Sequence, residues 1–213
     1  PLLETDAASW LKITSMEIFR RAAGAAAAGV LGSIVPGIAR AATGGGRSNI
    51  IFILADNMRW DCAGFRGHPF IKTPGIDRLA AEGVVFDNAF NTTALCSPSR
   101  ASILTGTYAH THGVLNNHTP WTGRRPIFFD YLKRAGYATA FIGKWHMPGR
   151  GLPAIKSLDL FASYTYREGQ GSYFGCPFIV NGKLEPPGKK YITVDTTDRA
   201  IAFMERHGKG GVD

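Results

Sequence analysis

The chain contains 213 residues, of which 45% are hydrophobic and 19% are charged, a composition typical of a globular protein with a sizeable core. Its formal net charge is +8, but the basic residues are scattered. Without a basic run or a nucleic-acid motif, they argue against binding to DNA or RNA and fit a small anionic substrate. Three cysteines, Cys62, Cys96 and Cys176, exclude a disulfide framework, although one pair could still form a bridge. Cys62 and Cys176 are expected to be small buried residues.

The N-terminal part of the chain has the features of a targeting segment. Residues 16–41 begin with methionine, carry the twin arginine Arg20–Arg21 before a weakly apolar run of alanine and glycine, and end in a small-x-small cleavage pattern. We predict a signal peptide at residues 16–41, which implies a periplasmic or secreted protein. Residues 1–15 are then a non-native or untranslated leader, and residues 42–48 a flexible leader. A membrane anchor is the alternative, but Pro36 and the composition of the run favour cleavage over stable membrane insertion.

From residue 49 onward, predicted strands and helices alternate, which indicates an α/β fold. The first strand is a continuous apolar run ending in Asp56 and Asn57, as is typical of a strand buried on both faces of a sheet with parallel members. Open α/β sheets bind ligands beyond the carboxyl ends of such strands. The expected elements are strands at 49–56, 84–90 and 137–145, helices at 74–83, 98–106, 127–136 and 195–208 (the last capped by Asp195 or Thr196), and loops with short strands at 149–190.

The segment from Cys96 to Arg100 combines a reactive side chain with a helix N-terminus. Pro98 fits the first turn of a helix, because its missing N–H has no partner there, and this places Cys96 at or just before the helix N-terminus. Free N–H groups and the helix dipole favour an anion at that point. Arg100, one turn further on, adds a fork of donors suited to a tetrahedral oxyanion. On these grounds the nucleophile could be Cys96, Ser97 or Ser99, and a purely structural turn has equal weight.

Three stretches carry a resemblance to a known family. LCSPSRASILTG at residues 95–106 resembles the first sulfatase signature, and GYATAFIGKWH at residues 136–146 resembles the second, with its Gly-Lys-x-His end. NIIFILADN at residues 49–57 is similar to the apolar strand of sulfatases that carries metal-binding acids. The resemblance implies an alkaline-phosphatase-like fold, with a mixed, largely parallel sheet flanked by helices on both faces. Residues 49–213 then form the N-terminal part of the catalytic domain.

The resemblance also implies a mechanism. In sulfatases, a formylglycine-generating enzyme oxidises the motif cysteine to formylglycine, and one hydroxyl of its hydrate attacks the sulfur of a sulfate ester. The second hydroxyl then expels sulfate and restores the aldehyde. By position, Cys96 is the formylglycine precursor, and Arg100 supports it and neutralises charge. Lys144 matches a lysine that donates to sulfate oxygens, and His146 a histidine that donates to the diol or the leaving oxygen.

A metal site is implied at the end of the first strand. Sulfatases have two aspartates here that bind calcium, sometimes magnesium, so the resemblance makes Asp56, Asn57 and the formylglycine from Cys96 the expected ligands. Asn57 departs from the pattern, because its amide offers an oxygen but no negative charge. The family's other ligands have no matching motif here, and a hard cation needs about six to eight oxygens. We therefore expect the C-terminal part of the domain to be missing and residues 1–213 alone to be inactive.

The expected function is that of a sulfuric ester hydrolase acting on a sulfated carbohydrate or an aryl ester. One alternative is a phosphonate or phosphate monoester hydrolase of the same superfamily, and another is a non-catalytic sulfatase-like binding protein, which Asn57 permits. His110 and His112 have the spacing of a metal pair but are interpreted as loop residues following the helix.

Overall fold

The computed structural model describes the backbone of residues 13–21, and it describes residues 48–149, 155–164 and 171–208. Within these ranges, strands and helices alternate as expected for an α/β protein. The strands are β1 (Ile13–Arg21), β2 (Ile50–Ala55), β3 (Tyr137–Gly143), β4 (Leu160–Ser163), β5 (Phe178–Val180) and β6 (Lys183–Glu185). The helices are α1 (Pro74–Glu82), α2 (Cys96–Thr105), α3 (Ala109–His112), α4 (Phe128–Arg134) and α5 (Ile192–Gly208).

The described strands form one sheet in the order β2-β1-β3-β4-β5-β6. β1 is antiparallel to both of its neighbours, so β2 and β3 run in the same direction, and β4 is parallel to β3. β5 and β6 form an antiparallel hairpin beyond β4. The carboxyl ends of β2, β3 and β4 therefore lie at the same edge of the sheet, which we call the upper edge. The expected mixed sheet is confirmed. Among the described strands, however, only β3 and β4 pair in parallel, so the expectation of a largely parallel sheet is not met there, because β1 and the hairpin contribute antiparallel pairings.

β3 lies at the centre of the core, since each of its residues is buried. Successive side chains of a strand point to opposite faces of the sheet. Ala138, Ala140 and Ile142 pack with residues of α5, whereas Tyr137 and Phe141 pack with residues of α2 and α4. Helices therefore cover β3 on both faces, as expected, and α2 is held directly against the strand that leads to the second predicted motif.

β2 confirms the first predicted strand, but the prediction that this strand is buried on both faces is wrong. Ile51 is 49% exposed and Ile53 is 45% exposed. β2 lies at the end of the strand order and has β1 as its neighbour on one side. Among the described elements, the helices pack on β1 and β3 rather than over β2, so the apolar side chains of β2 remain accessible.

The strand predicted at residues 84–90 is absent. These residues have no regular structure, and Val84, Phe86 and Phe90 are between 76% and 88% exposed. A run of β-branched and aromatic residues forms a strand only when a neighbouring strand accepts its backbone hydrogen bonds and a surface covers its side chains. Neither condition is met within the described residues.

Helix starts differ from the prediction by a few residues. α2 begins at Cys96 instead of Pro98, which still lies in the first turn, where a missing N–H costs no hydrogen bond. α5 begins at Ile192, so the predicted cap at Asp195 or Thr196 is wrong. The hydroxyl of Thr196 instead donates to the carbonyl of Ile192 inside the helix. α1 begins at Pro74, as predicted.

The predicted N-terminal segments are described only in part. β1 covers the end of the predicted leader (residues 1–15) and the start of the predicted signal peptide, while residues 1–12 and 22–47 lie outside the described residues. The signal peptide and the flexible leader stay predictions. Among the residues that the structure describes, no helix combines the length and the apolar character needed to cross a membrane.

All three cysteines are free thiols, so no pair forms a bridge. Cys176 is buried, as expected, and its sulfur packs beside Tyr164 and Pro177. Cys62 is only partly buried, so the expectation of burial is wrong for this residue.

Candidate active site

Two predicted site residues meet at the upper edge. Asp56 follows β2 directly and Lys144 follows β3 directly, and β1 pairs with the ends of both strands. Lys144 Nζ donates to Asp56 Oδ2 at 2.8 Å. The lysine side chain is fully buried, and that of the aspartate is 12% exposed. Because a buried charge is costly unless it is paired, the carboxylate is what allows an ammonium group to occupy this position.

Cys96 lies beside this ion pair. It is the first residue of α2 and is partly exposed. Its Sγ is 3.6 Å from Lys144 Nζ. The N–H groups of the first helical turn have no partners within the helix and, together with the ammonium group, favour negative charge next to residue 96. The structure therefore brings Asp56, Cys96 and Lys144 into one cluster at the positive end of a helix.

Arg100 connects the helix to the strand. It is buried, and its Nη1 donates a hydrogen bond to the carbonyl of Lys144. The resemblance implies that Arg100 supports residue 96 and neutralises charge. The hydrogen bond seen here is made instead to the backbone of Lys144. α2 and the end of β3 are thereby fixed to each other, and this sets the position of Cys96 relative to Lys144.

His146 has an unusual backbone that the structure supports locally. Its φ is 47°, in the left-handed region that non-glycine residues rarely adopt. Ser97 Oγ donates to its carbonyl at 2.5 Å and stabilises this conformation. Burial, followed by the charges of Lys144 and Arg100, lowers the pKa of His146 to about 4. The imidazole is therefore neutral at neutral pH, with one N–H donor and one acceptor nitrogen.

The two serines of the motif have positions that disfavour them as nucleophiles. Ser97 is fully buried, and its hydroxyl is engaged by the carbonyl of His146. Ser99 instead lines a groove together with Phe90 and Tyr108, and this groove does not include Asp56, Cys96 or Lys144. Cys96, next to a cation and partly accessible, is the remaining candidate.

Asn57 does not join the cluster. It is exposed, and its φ of 57° is left-handed, a conformation that asparagine tolerates better than most residues. In the part of the chain that the structure describes, no group of three or more His, Cys, Asp or Glu residues is arranged to hold a metal ion. Of the three expected metal ligands, Asp56 and Cys96 therefore lie together around Lys144, whereas Asn57 does not.

Asn117 contributes to the site without any recognisable signal in the sequence. Its Oδ1 accepts the backbone N–H of Ser97 at 3.0 Å. The N-cap residue Leu95 makes no side-chain cap hydrogen bond. Asn117 therefore caps α2 from a loop that follows the helix. Caps are recognised in a sequence by their position just before a helix, so a cap from a later loop is not detectable in this way.

We expect Asn117→Ala to lower the free energy of unfolding by about 1 kcal/mol, the usual cost of removing a helix cap. Asn117→Asp is the matched control, because it keeps an acceptor and adds a negative charge that a helix N-terminus favours. Urea denaturation measures both variants. An equal loss in the two variants would show that Asn117 does not act as a cap.

His112 fixes the other end of α2. Its Nδ1 accepts the N–H of Val114 at 3.1 Å, and its Nε2 lies 3.0 Å from Ser102 Oγ. A backbone N–H can only donate, so Nδ1 carries no proton and the neutral ring is protonated at Nε2. His110 is exposed and stacks on Tyr108. The two side chains make separate contacts, and both residues lie in the short helix α3 instead of the expected loop.

The buried ring of His112 predicts acid sensitivity. Burial and the nearby His110 lower its pKa, so the unfolded chain takes up a proton at a higher pH than the folded chain. The stability that depends on the neutral ring is present above about pH 6.5 and is lost as the pH falls from there through the folded pKa. His112→Asn keeps an acceptor but cannot titrate. We expect this variant to lose less stability than wild type between about pH 7 and pH 5 in urea denaturation; parallel losses would contradict the assignment.

Comparisons with known proteins identify the family of the chain. The family model described as Sulfatase matches residues 48–209. N-acetylglucosamine-6-O-sulfatase of Bacteroides thetaiotaomicron is 37% identical over 163 residues, which cover 76% of this chain and 28% of the relative. A structure solved in complex with its substrate D-glucosamine-2-N,6-O-disulfate has a TM-score of 0.61 at 38% identity, over 67% of this chain and 28% of that one.

A second solved structure, in complex with k-i-k-neocarrahexaose, has a TM-score of 0.65 at 26% identity and covers 72% of this chain and 40% of that one. The chain thus spans well under half the length of the proteins that it matches. The family model, however, covers most of the chain, including both motifs and the first strand. The chain belongs to the sulfatase family and has its alkaline-phosphatase-like fold.

Proposed function

We propose that the complete protein containing this chain is a sulfuric ester hydrolase that removes sulfate from a sulfated carbohydrate or an aryl ester. The observation that best supports this proposal is the position of Cys96 at the N-terminus of α2, where Lys144 Nζ lies 3.6 Å from its Sγ. Sulfate is a tetrahedral anion, and free helix N–H groups together with a buried ammonium stabilise such an anion. The relative that is named as a sulfatase of a sugar, and the neighbour solved with a sulfated glucosamine, support the substrate class.

Cys96 is proposed to react after oxidation to formylglycine by a formylglycine-generating enzyme. Hydration of the aldehyde gives residue 96 two hydroxyl groups on one carbon. One hydroxyl oxygen bonds to the sulfur while the bond from sulfur to the ester oxygen breaks, and the alcohol leaves with a proton. The second hydroxyl then loses its proton, the carbonyl forms again, and sulfate is expelled. A plain alcohol at this position would need water to attack a hindered sulfur instead.

The neighbouring residues have distinct proposed roles. Lys144 binds a sulfate oxygen, and its ion pair with Asp56 holds the ammonium in place before substrate arrives. His146 is neutral and can donate its N–H to the diol or the leaving oxygen, while its other nitrogen can accept a proton. Arg100 positions Lys144 by holding its carbonyl.

We also propose that Asp56, Asn57 and an oxygen of modified residue 96 contribute to a calcium site, with magnesium as the second candidate. Carboxylate, amide and hydroxyl oxygens are suitable ligands for a hard cation. Calcium binds about six to eight oxygens, however, which is more than these three residues supply. Calcium titration by calorimetry should show weaker binding in Asp56→Asn than in wild type, and equal affinity would place the metal elsewhere.

The protein is further proposed to be exported, with cleavage after Ala41. The twin arginine and the cleavage pattern in the sequence support this. Cleavage there would remove β1 from its place between β2 and β3. N-terminal sequencing of protein from the periplasm and the medium tests the proposal. A mature chain that begins at residue 42 supports it, and a chain that retains residue 13 contradicts it.

The activity is tested on the complete gene product, expressed together with a formylglycine-generating enzyme. Turnover of 4-nitrophenyl sulfate is compared with that of the matched phosphate and an aryl phosphonate. We expect the sulfate to react fastest. Faster reaction of a phosphorus ester would indicate the related monoester hydrolase activity. No turnover together with no calcium binding would indicate a binding protein.

A further inference from the structure

A cluster of exposed aromatic side chains lies outside the candidate active site. Tyr173 is 57% exposed and Phe174 is 68% exposed. The ring of Tyr191 stacks on that of Tyr173, with centroids 6.2 Å apart and an interplanar angle of 7°, and contacts that of Phe174 at 5.2 Å. Exposed aromatic rings that gather in one place, unlike single exposed apolar residues, indicate a binding surface.

The backbone under this cluster is fixed. The carbonyl of Tyr173 accepts the N–H of Ile192 at 2.8 Å, and the N–H of Gly175 donates to the carbonyl of Lys190 at 3.3 Å. Gly175 has a φ of 59°, and a Cβ at this position would lie 3.0 Å from the carbonyl of Gly188, so this close approach requires glycine. The backbone that carries the aromatic rings is therefore held in place before any ligand binds, which lowers the entropy cost of binding.

One of two neighbouring lysines adds positive charge, unpaired among the described residues, next to the rings. Lys189 and Lys190 directly precede Tyr191 and are exposed. Lys190 Nζ pairs with Asp198 at 2.5 Å, whereas Lys189 forms no ion pair with another described residue. We call Tyr173, Phe174, Lys189, Lys190 and Tyr191 the aromatic–lysine surface. Flat aromatic faces next to a cation suit a ligand with both apolar ring faces and anionic groups, and a sulfated sugar has both.

The aromatic–lysine surface lies at the same edge of the sheet as the candidate active site. Gly143 is in register with Ser163, Ser163 with Ile179, and Phe178 with Glu185. The segments just before β5 and just after β6 therefore emerge at the upper edge, where Lys144 follows β3. Three strand spacings of about 4.8 Å separate β3 from β6, or roughly 15 Å. The strand ends that lead to the two places are therefore close enough for one extended ligand to reach from one place to the other.

We propose that the aromatic–lysine surface binds sugar units of an extended sulfated glycan that flank the unit whose sulfate ester lies at Cys96. The inference rests on the proposed function and names the substrate more narrowly, as an oligomeric sulfated carbohydrate rather than a monosaccharide or an aryl sulfate. The rings stack on the faces of the sugar units, and Lys189 binds one of their sulfate groups.

The test uses the complete protein with the double substitution Tyr173→Ala and Phe174→Ala and, separately, with Lys189→Ala. Tyr131→Ala is the matched control, because Tyr131 is also an exposed tyrosine, 56% accessible, but lies on α4, which leads into the opposite end of β3. Affinities for sulfated hexasaccharides and disaccharides from heparin and from carrageenan are measured by calorimetry. Turnover of 4-nitrophenyl sulfate is measured in parallel, and thermal melts verify folding.

We expect wild type to bind at least one of the two hexasaccharides about tenfold more tightly than the matching disaccharide, since the loss of aromatic contacts typically changes affinity by this order. The double variant should lose this preference, Lys189→Ala should lose part of it, and Tyr131→Ala should keep it. All variants should hydrolyse the aryl sulfate like wild type.

Other outcomes overturn the proposal. Binding that is independent of length for both glycans, or a preference that survives in the double variant, contradicts the aromatic–lysine surface while leaving the proposed function intact if the aryl sulfate is hydrolysed. Equal affinity for single-stranded DNA of similar charge would show an unspecific polyanion site. If wild type hydrolyses no sulfate ester at all, the proposed function itself fails.

Discussion

Replacing Cys96 with alanine is expected to abolish sulfate ester hydrolysis, with a loss of about 10³-fold or more in kcat, because the side chain that bonds to sulfur is removed. Folding should change little. Cys96 is partly exposed at the first position of α2, and its Sγ contacts Lys144 Nζ instead of filling the core. Steady-state kinetics on 4-nitrophenyl sulfate and thermal unfolding of the complete protein measure the two effects.

Cys96→Ser is the matched control for the chemistry. A serine places one hydroxyl where the proposed mechanism needs two, so we expect at most a single turnover, with sulfate retained on the protein and detectable by mass spectrometry. The mass of the tryptic peptide that contains residue 96 reports independently on conversion of the thiol in wild type. Normal multiple turnover by Cys96→Ala would falsify the assignment of the nucleophile.

Replacing Lys144 with methionine is expected to lower both stability and activity. The change removes the ammonium group 2.8 Å from the carboxylate of Asp56, and breaking one side of a buried ion pair costs about 3 kcal/mol of unfolding free energy. Methionine keeps most of the volume of the lysine side chain, so the loss reflects charge. Turnover should fall by about 10²-fold or more, because the sulfate oxygens lose a preorganised cation. Urea denaturation in the presence of a chelator and steady-state kinetics measure the two effects.

The double variant Asp56→Asn, Lys144→Met separates the effect on stability from the effect on turnover. Both charges are absent, so stability should recover in part, whereas turnover should not. Repeating the denaturation of Lys144→Met with calcium adds a test of the metal proposal, because a cation bound to Asp56 would replace the missing ammonium and reduce the loss. Equal destabilisation of the single and double variants would mean that the ion pair does not stabilise the fold.

The parts of the site that lie in continuous motifs were predictable from the sequence. Lys144 follows a strand that is buried along its whole length, and a buried apolar run ending at a lysine and a histidine is visible as a pattern. Asp56 ends a similar run. That the two side chains meet follows from the common direction of β2 and β3, which the alternation of strands and helices suggests.

Features that depend on distant partners were not predictable. Asn117 caps α2 across 20 positions of sequence, and no local pattern marks such a bond. Residues 84–90 have the composition of a strand but lack a neighbour to pair with, and β2 has the composition of a buried strand but lies at the edge of the sheet. In both segments the local sequence favours a buried strand, but pairing and burial depend on neighbouring elements that the local sequence does not reveal.

The hydrogen bond from Arg100 to the carbonyl of Lys144 makes α2 and the end of β3 a single mechanical unit. A displacement of that unit carries the sulfur of residue 96 and the ammonium of Lys144 together, and their spacing is conserved. Asp56 follows β2, which is joined to β3 through β1, so the carboxylate is linked to this unit both by the sheet and by its ion pair with Lys144. Loss of the Arg100 hydrogen bond would therefore disturb the alignment of the reacting group with its cation as well as the packing of the helix on the strand.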